Sequence, residues 1–310
     1  MSIITPFKFK EAFYIKLGRG GEWETDSIET GKLRFGWPHQ SLDDINTGRW
    51  DLIEDQIRRE HVQAKSVATQ AFHGLKIITQ SAPDDVWITF YKAKLWWTRL
   101  ASCPVREDSI SKFRQTVLPW SDCSVKNRRL MINDLPGKLA MLQGYRWTVC
   151  RVGCADLLER TLGGTKSDLA TAISGDRANL AQHLTESIKE LHWKDFETLV
   201  DLVFRHTGWI RVSVLGQQAK AYDLELREPI TGDRYVVQVK SKAGLADVKA
   251  TVANFSFDDF RRVFFVVHSP EKDITQATDI PDHVVIVPPD VLALQAIDAG
   301  LVKWLEDKVS

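Results

Sequence analysis

The C-terminal half of the chain alternates between helical and extended patterns of hydrophobic positions. Apolar residues recur every three to four positions in some segments and every second position in others, which are the periods of helices and strands. From residue 193 onwards the order is α-β-β-β-α-β, which is typical of a mixed α/β layer arrangement. Helices are predicted over residues 168–190, 193–206, 244–254 and 289–308, and strands over 209–215, 221–227, 234–240, 262–268 and 283–287.

The N-terminal half has shorter extended segments and one long, charged helical pattern. Strands are predicted at 13–17, 32–37 and 146–152, a helix over 43–70, and one long strand or a hairpin over 86–100. Short strands with few helices favour a compact β-barrel or a mixed α+β domain. Residues 163–168 read Gly-Gly-Thr-Lys-Ser-Asp, which is loop and helix-capping chemistry. We therefore predict two domains, residues 1–165 and 166–310.

Polar side chains interrupt one face of the predicted strand at 234–240. Side chains alternate between faces along a strand, so Val236, Gln238 and Lys240 share one face while three apolar residues take the other. Burying an amide and an ammonium on a sheet face is unfavourable unless both have polar partners. This face is therefore a candidate functional site.

The preceding strand offers a partner for Gln238. Residues 228–233 read Glu-Pro-Ile-Thr-Gly-Asp, a sequence typical of turns, so the two strands are predicted to form a hairpin. Centring that hairpin between Ile230 and Thr231 places Asp223 directly opposite Gln238. Opposed residues have Cβ atoms about 4.5–5.5 Å apart, which is close enough to share one divalent cation.

A third candidate lies on the helix predicted over 193–206. Its apolar stripe consists of residues 193, 196, 200, 203 and 204, and Glu197 falls inside that stripe. A carboxylate there requires a cation or a donor nearby. We expect its partner to be the same metal cluster or Lys240, although Glu225 is an alternative acid for that cluster.

Composition narrows the classes of protein but does not identify a partner. The chain of 310 residues carries 41 Lys and Arg against 41 Asp and Glu, so any basic surface for nucleic acid has to be local. The four cysteines have neither paired CxxC nor zinc-ligand spacing. Because neither a signal peptide nor an apolar run of membrane-spanning length is recognisable, we expect a cytoplasmic location and no membrane partner.

The grouped residue types suit hydrolysis of a phosphodiester. That reaction needs an activated water and neutralisation of the charge that grows on the phosphate. Mg²⁺ supplies both when it is held by carboxylate and amide oxygens. A lysine beside it can polarise the attacking water or stabilise the transition state.

These residues carry a resemblance to a known family. Phe196-Glu197, Leu199-Val200, Gly208, Asp223 and Gln238-Val239-Lys240 resemble the Mrr-like branch of the PD-(D/E)xK nucleases over about residues 190–270. The resemblance implies a restriction-endonuclease-like core, Mg²⁺ or Mn²⁺ as cofactor, and Asp223, Gln238, Lys240 and Glu197 as catalytic residues. Asp223, Gln238 and Glu197 would then hold the metal.

Two departures from the family pattern bear on activity. Gln238 stands where an acid is commoner, which removes one negative charge from the metal site. Residues 217–222 also lack the Gly-Asp pair that such families carry before the aspartate.

The N-terminal half resembles, more loosely, the PUA-like reader domains, a group that includes EVE, YTH and SRA domains. Phe13-Tyr-Ile-Lys16, Phe35-Gly-Trp37 and Phe90-Tyr-Lys92 carry that resemblance. It implies a domain that flips a nucleotide out of the helix and holds its base among aromatic side chains. The candidate pocket walls are Trp23, Trp37 and Trp97, and the candidate DNA contacts are Arg19, Lys92, Arg128 and Arg129.

Together the two resemblances predict an endonuclease that cuts DNA carrying modified bases, as in type IV restriction and antiviral defence. Cutting both strands implies a homodimer, at least on DNA. A non-cleaving nucleic-acid reader on a nuclease scaffold is one alternative. A nuclease acting on RNA or on repair intermediates is another.

Overall fold

The computed structural model describes residues 7–212, 222–253, 259–276 and 280–310. By its internal contacts the chain divides into two compact units, Met1–Asp168 and Leu169–Ser310. Among the described residues, no helix combines the length and the apolar character needed to cross a membrane.

The N-terminal unit contains both strands and helices. Its strands are β1 (Ala12–Ile15), β2 (Lys32–Phe35), β3 (Val86–Tyr91), β4 (Lys94–Thr98), β5 (Arg106–Glu107), β6 (Lys112–Gln115) and β7 (Val149–Arg151). Its helices are α1 (Glu24–Thr30), α2 (Leu42–Thr47), α3 (Trp50–Glu60), α4 (Lys65–Gln80), α5 (Gly137–Ala140) and α6 (Ala155–Gly163).

These strands form two open sheets. One has four strands in the order β4-β3-β1-β7, and the other has three in the order β2-β6-β5. No closed barrel is formed within the described part of this unit, so the predicted barrel is not confirmed. The alternation along β1 explains why its sheet is covered on both sides, because Phe13 and Ile15 enter one core while Ala12 and Tyr14 enter another.

The prediction of one continuous helix over residues 43–70 is wrong. The segment forms α2 and α3, and α4 begins at Lys65. Gly48 adopts a left-handed conformation with φ of 71°, which ends α2 after Thr47. The segment over 86–100 is a hairpin, with Lys92 and Ala93 at positive φ in its tight turn.

The C-terminal unit has a mixed sheet between helices. Its helices are α7 (Asp168–Glu190), α8 (Trp193–His206), α9 (Leu245–Ala253), α10 (Lys272–Gln276), α11 (Pro289–Asp298) and α12 (Val302–Lys308). Its strands are β8 (Ile210–Arg211), β9 (Leu224–Arg227), β10 (Arg234–Ala243), β11 (Arg262–Pro270) and β12 (Val284–Val287).

The sheet of this unit runs in the order β12-β11-β10-β9-β8. The pairs β10–β11 and β11–β12 are parallel, whereas β9–β10 and β8–β9 are antiparallel. The predicted order α-β-β-β-α-β is present from α8 onwards. Of the strand predicted over 209–215, residues 213–215 lie outside the described residues, as do 217–221 before Asp223.

The single C-terminal helix predicted over 289–308 is divided into α11 and α12. Gly300, with φ of 72°, lies between them. A left-handed glycine cannot continue a right-handed helix, so the chain turns there.

Both faces of this sheet are buried. Val237, Val266 and Val287 pack with α8, α11 and α12 on one side. Phe265 and Val267 pack with Val248 of α9 on the other. Burying a side chain of this size stabilises the fold by about 1.5–3 kcal/mol, and this two-sided core holds β10 rigidly.

Candidate functional site

The hairpin of β9 and β10 has the register predicted from the sequence. Val236 pairs with Glu225 and Val237 with Leu224, which confirms that register. Asp223 is the next residue along and lies against Gln238. Gln238 Nε2 donates to Asp223 Oδ2 at 2.5 Å, and the Val239 amide donates to the same oxygen at 2.6 Å.

The surroundings of Asp223 disfavour the ionised form of its side chain. Part of the residue is exposed, yet protein atoms surround its carboxylate, and this desolvation raises its pKa. The Val239 N–H and the positive charge of Lys240 act in the opposite direction without cancelling that rise. An additional positive charge nearby would therefore stabilise the ionised form of this carboxyl group.

Glu197 on α8 lies close enough to Asp223 for the charge of Asp223 to affect its pKa. Its pKa is raised, first by desolvation and then by the negative charge of Asp223, while Lys194 lowers it. Two carboxylates that repel one another are the arrangement that a divalent cation relieves. The structure thus brings Glu197 and Asp223 to one region.

The expected surroundings of Glu197 are partly wrong. Phe196, Val200, Val203 and Phe204 are buried as predicted, but Trp193 is 49% exposed, and Glu197 itself is exposed. The apolar stripe is therefore open at the start of α8. The charges acting on Glu197 are those of Asp223 and Lys194.

Lys240 lies two positions beyond Gln238 on the same strand and is partly buried. Its charge lowers the pKa of Asp223, so the two groups are neighbours. Among the described residues it makes no ion pair within 4.0 Å. Its ammonium is thus available to a water molecule or a phosphate.

Glu225, the alternative acid, is already neutralised. Arg234 donates to its Oε1 from Nε at 2.8 Å and from Nη2 at 2.6 Å, and the Tyr222 hydroxyl donates to its Oε2 at 3.0 Å. A carboxylate with these three donors has little capacity left for a metal ion. Glu197 is therefore the better second acid.

The donor set fits a hard divalent cation. Asp223, Gln238 and Glu197 offer carboxylate and amide oxygens, which are the ligands preferred by Mg²⁺ and Mn²⁺. Within the described ranges, no three His, Cys, Asp or Glu side chains lie together in a metal-binding group. A cation held here by Asp223 and Glu197 would need the amide oxygen of Gln238 as a third protein ligand.

Comparison with known families bears directly on this unit. Residues 188–273 match the family model Mrr_cat, which describes a restriction endonuclease. The C-terminal unit carries a restriction endonuclease domain. The match contains α8 with Glu197, the hairpin with Asp223 and Gln238, and Lys240, so the candidate site lies within the matched residues.

Two further comparisons add little to the nuclease domain. The structure of the DNA modification-dependent restriction endonuclease AspBHI is similar with a TM-score of 0.34 and 10% identity, over 72% of this chain and 68% of that chain. At this TM-score no function is inferred from the likeness. No significant match was found among curated proteins.

The N-terminal unit holds a cavity of about 580 Å³. Trp23, Trp37 and Trp147 line it together with cationic, acidic and amide side chains. Two of the three predicted pocket tryptophans are therefore brought to one cavity. Cavities that bind small ligands typically measure about 300–1,000 Å³.

Trp97 does not line this cavity, contrary to its predicted grouping with Trp23 and Trp37. Its ring packs edge-on against Phe7 at 5.1 Å, and its indole N–H donates to the Cys123 carbonyl at 2.8 Å. Both contacts anchor it in the core that also contains Tyr14 and Phe90. It is a packing residue.

Trp37 adopts a strained backbone conformation. Its φ of 64° lies in the left-handed region, which is rare for a residue with a large side chain. Such strain costs about 1–3 kcal/mol and clusters at ligand-binding sites. The strain therefore favours a binding role for this tryptophan over a purely structural one.

The four predicted DNA contacts are dispersed. Arg19 lines the cavity, while Lys92 lies 5.0 Å from the Tyr91 ring centroid at the β3–β4 turn. Arg129 pairs with Asp122 at 3.1 Å, and Arg128 lies 3.8 Å from Asp134. Only Arg19 is thereby placed beside the tryptophans.

The cavity residues that the sequence did not single out include Gln40, Arg146 and Trp147. They lie in connections outside helices and strands, where no periodicity applies. Arg146 and Trp147 begin the strand predicted over 146–152, whereas β7 begins only at Val149.

Proposed function

We propose that this chain is a metal-dependent DNA endonuclease that cuts DNA carrying modified bases. Residues 166–310 would cut and residues 1–165 would recognise the modification. The observation that carries the proposal is the contact between Asp223 and Gln238, with Lys240 beside them, inside residues that match a restriction endonuclease family.

Asp223, Gln238 and Glu197 would hold the cation, Mg²⁺ or Mn²⁺. When bound, such a cation lowers the pKa of a water molecule and offsets charge on the phosphate. Gln238 now donates its N–H to Asp223, so its amide has to turn and present Oε1 to act as a ligand.

Lys240 would act on the attacking water or on the phosphate. Its ammonium has three donors and no acceptor, so it can orient a water oxygen or stabilise negative charge on a phosphate oxygen.

Recognition of a modified base is assigned to the N-terminal unit, in the manner of a PUA-like reader. Support comes from the cavity that Trp23 and Trp37 line, from the strained backbone of Trp37 and from Arg19 at the same cavity. Stacking between aromatic rings would offset part of the cost of extracting a base. Type IV restriction in a cytoplasmic antiviral defence would follow.

Cleavage of both strands needs two copies of the site, so the active species on duplex DNA would be a homodimer. A non-cleaving nucleic-acid reader is the second candidate, and the neutral Gln238 is the observation that favours it, because it lowers the charge available to hold a cation.

The test compares matched plasmids that are unmodified, carry 5-methylcytosine or carry 5-hydroxymethylcytosine, each with Mg²⁺ and with EDTA. We expect Mg²⁺-dependent cleavage of modified plasmids alone. Equal cleavage of all three would remove the modified-base reader and keep the nuclease. Binding without any cleavage would favour the non-cleaving reader.

A further inference from the structure

The cavity that Trp23, Trp37 and Trp147 line also contains a buried glutamine, Gln40, whose amide has a fixed orientation. Gln40 lines the cavity and is 1% exposed. Its Nε2 donates to Glu60 Oε1 at 2.9 Å. Since a carboxylate only accepts hydrogen bonds, the amide nitrogen has to face Glu60.

This orientation leaves the carbonyl oxygen of Gln40 as an unused acceptor. Among the described residues no donor reaches Gln40 Oε1. This oxygen is not among the fully buried unpaired side-chain atoms of the described residues, so it reaches solvent, and a ligand that displaces this solvent has to bring an N–H group or leave the acceptor unpaired.

The other residues that line the cavity indicate which shape of ligand it can bind. Trp23, Trp37 and Trp147 offer flat aromatic surfaces, which favour a planar ring. Gly36 also lines the cavity, and a Cβ atom added there would meet nothing within 4 Å. The bare backbone therefore leaves room for a ring to approach closely.

We propose, resting on the base-recognition part of the proposed function, that this cavity binds a flipped nucleobase that bears an exocyclic amine, and that Gln40 Oε1 accepts from this amine. Cytosine carries an amine at position 4 and adenine carries one at position 6, whereas thymine has a carbonyl oxygen at position 4. A carbonyl in that place would set two acceptors against each other. The cavity thus selects cytosine-type or adenine-type bases.

The test uses two pairs of bases in which a carbonyl oxygen replaces this amine and the adjacent ring nitrogen gains a proton. One pair is 5-hydroxymethylcytosine and 5-hydroxymethyluracil, and the other is adenine and hypoxanthine. Each base is placed opposite an abasic site in one duplex, so that differences in base pairing are removed. Binding of the full-length protein is measured by fluorescence anisotropy in EDTA, which prevents cleavage.

We expect the amine-bearing base of at least one pair to bind roughly tenfold more tightly than its carbonyl counterpart. Gln40→Met, which keeps the length of the side chain, should erase that preference. Gly36→Leu, which fills open space without a positive φ, should lower the binding of both members to the level of an unmodified duplex.

The outcomes separate this inference from the function on which it rests. No preference in either pair, with Gly36→Leu still weakening binding, would overturn the role of Gln40 and keep the cavity as a base pocket. Unchanged binding by Gly36→Leu, with its fold verified by circular dichroism, would overturn both base recognition and this inference. Neither result would touch the metal-dependent nuclease, which the plasmid test addresses separately.

Discussion

The candidate metal site of the C-terminal unit and the cavity of the N-terminal unit contain different kinds of side chains. In the nuclease domain two carboxylates with raised pKa lie close together, and their charge is not fully compensated by Lys240 and Lys194. In the N-terminal cavity three tryptophans lie beside cationic, acidic and amide side chains, and the amide of Gln40 donates to Glu60. Under the proposed function, the first site would receive a cation and the second would receive a flat ring.

The unfavourable interactions in the two units also differ: they are electrostatic in one and conformational in the other. In the candidate nuclease site desolvation raises the pKa of Glu197 and of Asp223, the charge of Asp223 adds to the rise at Glu197, and a bound cation would offset both effects. The cavity stores backbone strain at Trp37. The changes below should therefore affect one unit and leave the other unaffected.

The largest effect is expected from Asp223→Ala. Removing this carboxylate deletes the ligand that contacts Gln238 and the Val239 amide. Since a metal ion supplies several kcal/mol of transition-state stabilisation, cleavage should fall about 10³-fold or more. Single-turnover cleavage measures it, and Asp233→Ala on the same hairpin is the matched control. Equal loss in both variants would contradict a specific role for Asp223.

Gln238→Glu should sharpen the assignment of the metal site. The added carboxylate restores one negative charge, so half-maximal cleavage should need about tenfold less Mg²⁺, which corresponds to about 1.4 kcal/mol. Titration of Mg²⁺ against the cleavage rate measures this shift. Gln238→Met, without a ligand oxygen, should move the midpoint upwards. A midpoint that neither variant changes would remove Gln238 from the site.

Trp37→Gly should separate the cavity from the nuclease domain. Glycine accepts the positive φ without strain, so the variant removes the ring and keeps the backbone. Loss of stacking worth about 1–3 kcal/mol should reduce the preference for modified DNA by about tenfold or more. Competition binding measures the preference, and Trp37→Phe should keep most of it. A preserved preference in the glycine variant would contradict the pocket.

The smallest effect concerns Glu197→Gln and stability. A carboxyl group whose pKa is raised on folding destabilises the folded state as pH rises from its ordinary value of 4.5. Removing that charge should raise the melting temperature at pH 7.5 in EDTA, on the order of 1 °C because the group is exposed and screened.

Scanning fluorimetry at several pH values checks this sign. The difference between Glu197→Gln and the wild type should vanish below pH 4.5, where the carboxyl group is protonated. Glu228→Gln is the opposite control, because backbone N–H groups of Thr231 and Ile230 lower the pKa of Glu228, so this variant should melt at a lower temperature. A lower melting temperature for Glu197→Gln would contradict repulsion from Asp223.

The nuclease site was predictable because its parts are close in sequence. Two strands joined by a short turn have only a few registers, and the period of two fixes which side chains share a face. That reasoning placed Asp223 against Gln238. The exposure of Trp193 and Glu197 was missed, because helical periodicity does not tell where the sheet beneath a helix ends.

The cavity was predictable only in part. Trp23 and Trp37 were named from the resemblance to PUA-like readers, whereas Gln40 and Trp147 come from connections that only the folded chain brings together. Trp96 and Trp97 are neighbours on β4, so their side chains lie on opposite faces of the sheet. Each joins a different core, and neither lines the cavity.

The measurement that tests the central claim most directly is Mg²⁺ binding and DNA cleavage by Lys240→Ala. Calorimetry should show Mg²⁺ bound about as tightly as by the wild type, because Asp223, Gln238 and Glu197 remain. Single-turnover cleavage should fall about 10²–10³-fold, because the donor next to the reacting phosphate is gone. Lys242→Ala, a residue 74% exposed on the same strand, should cleave normally. Cleavage by Lys240→Ala at the wild-type rate would contradict the account.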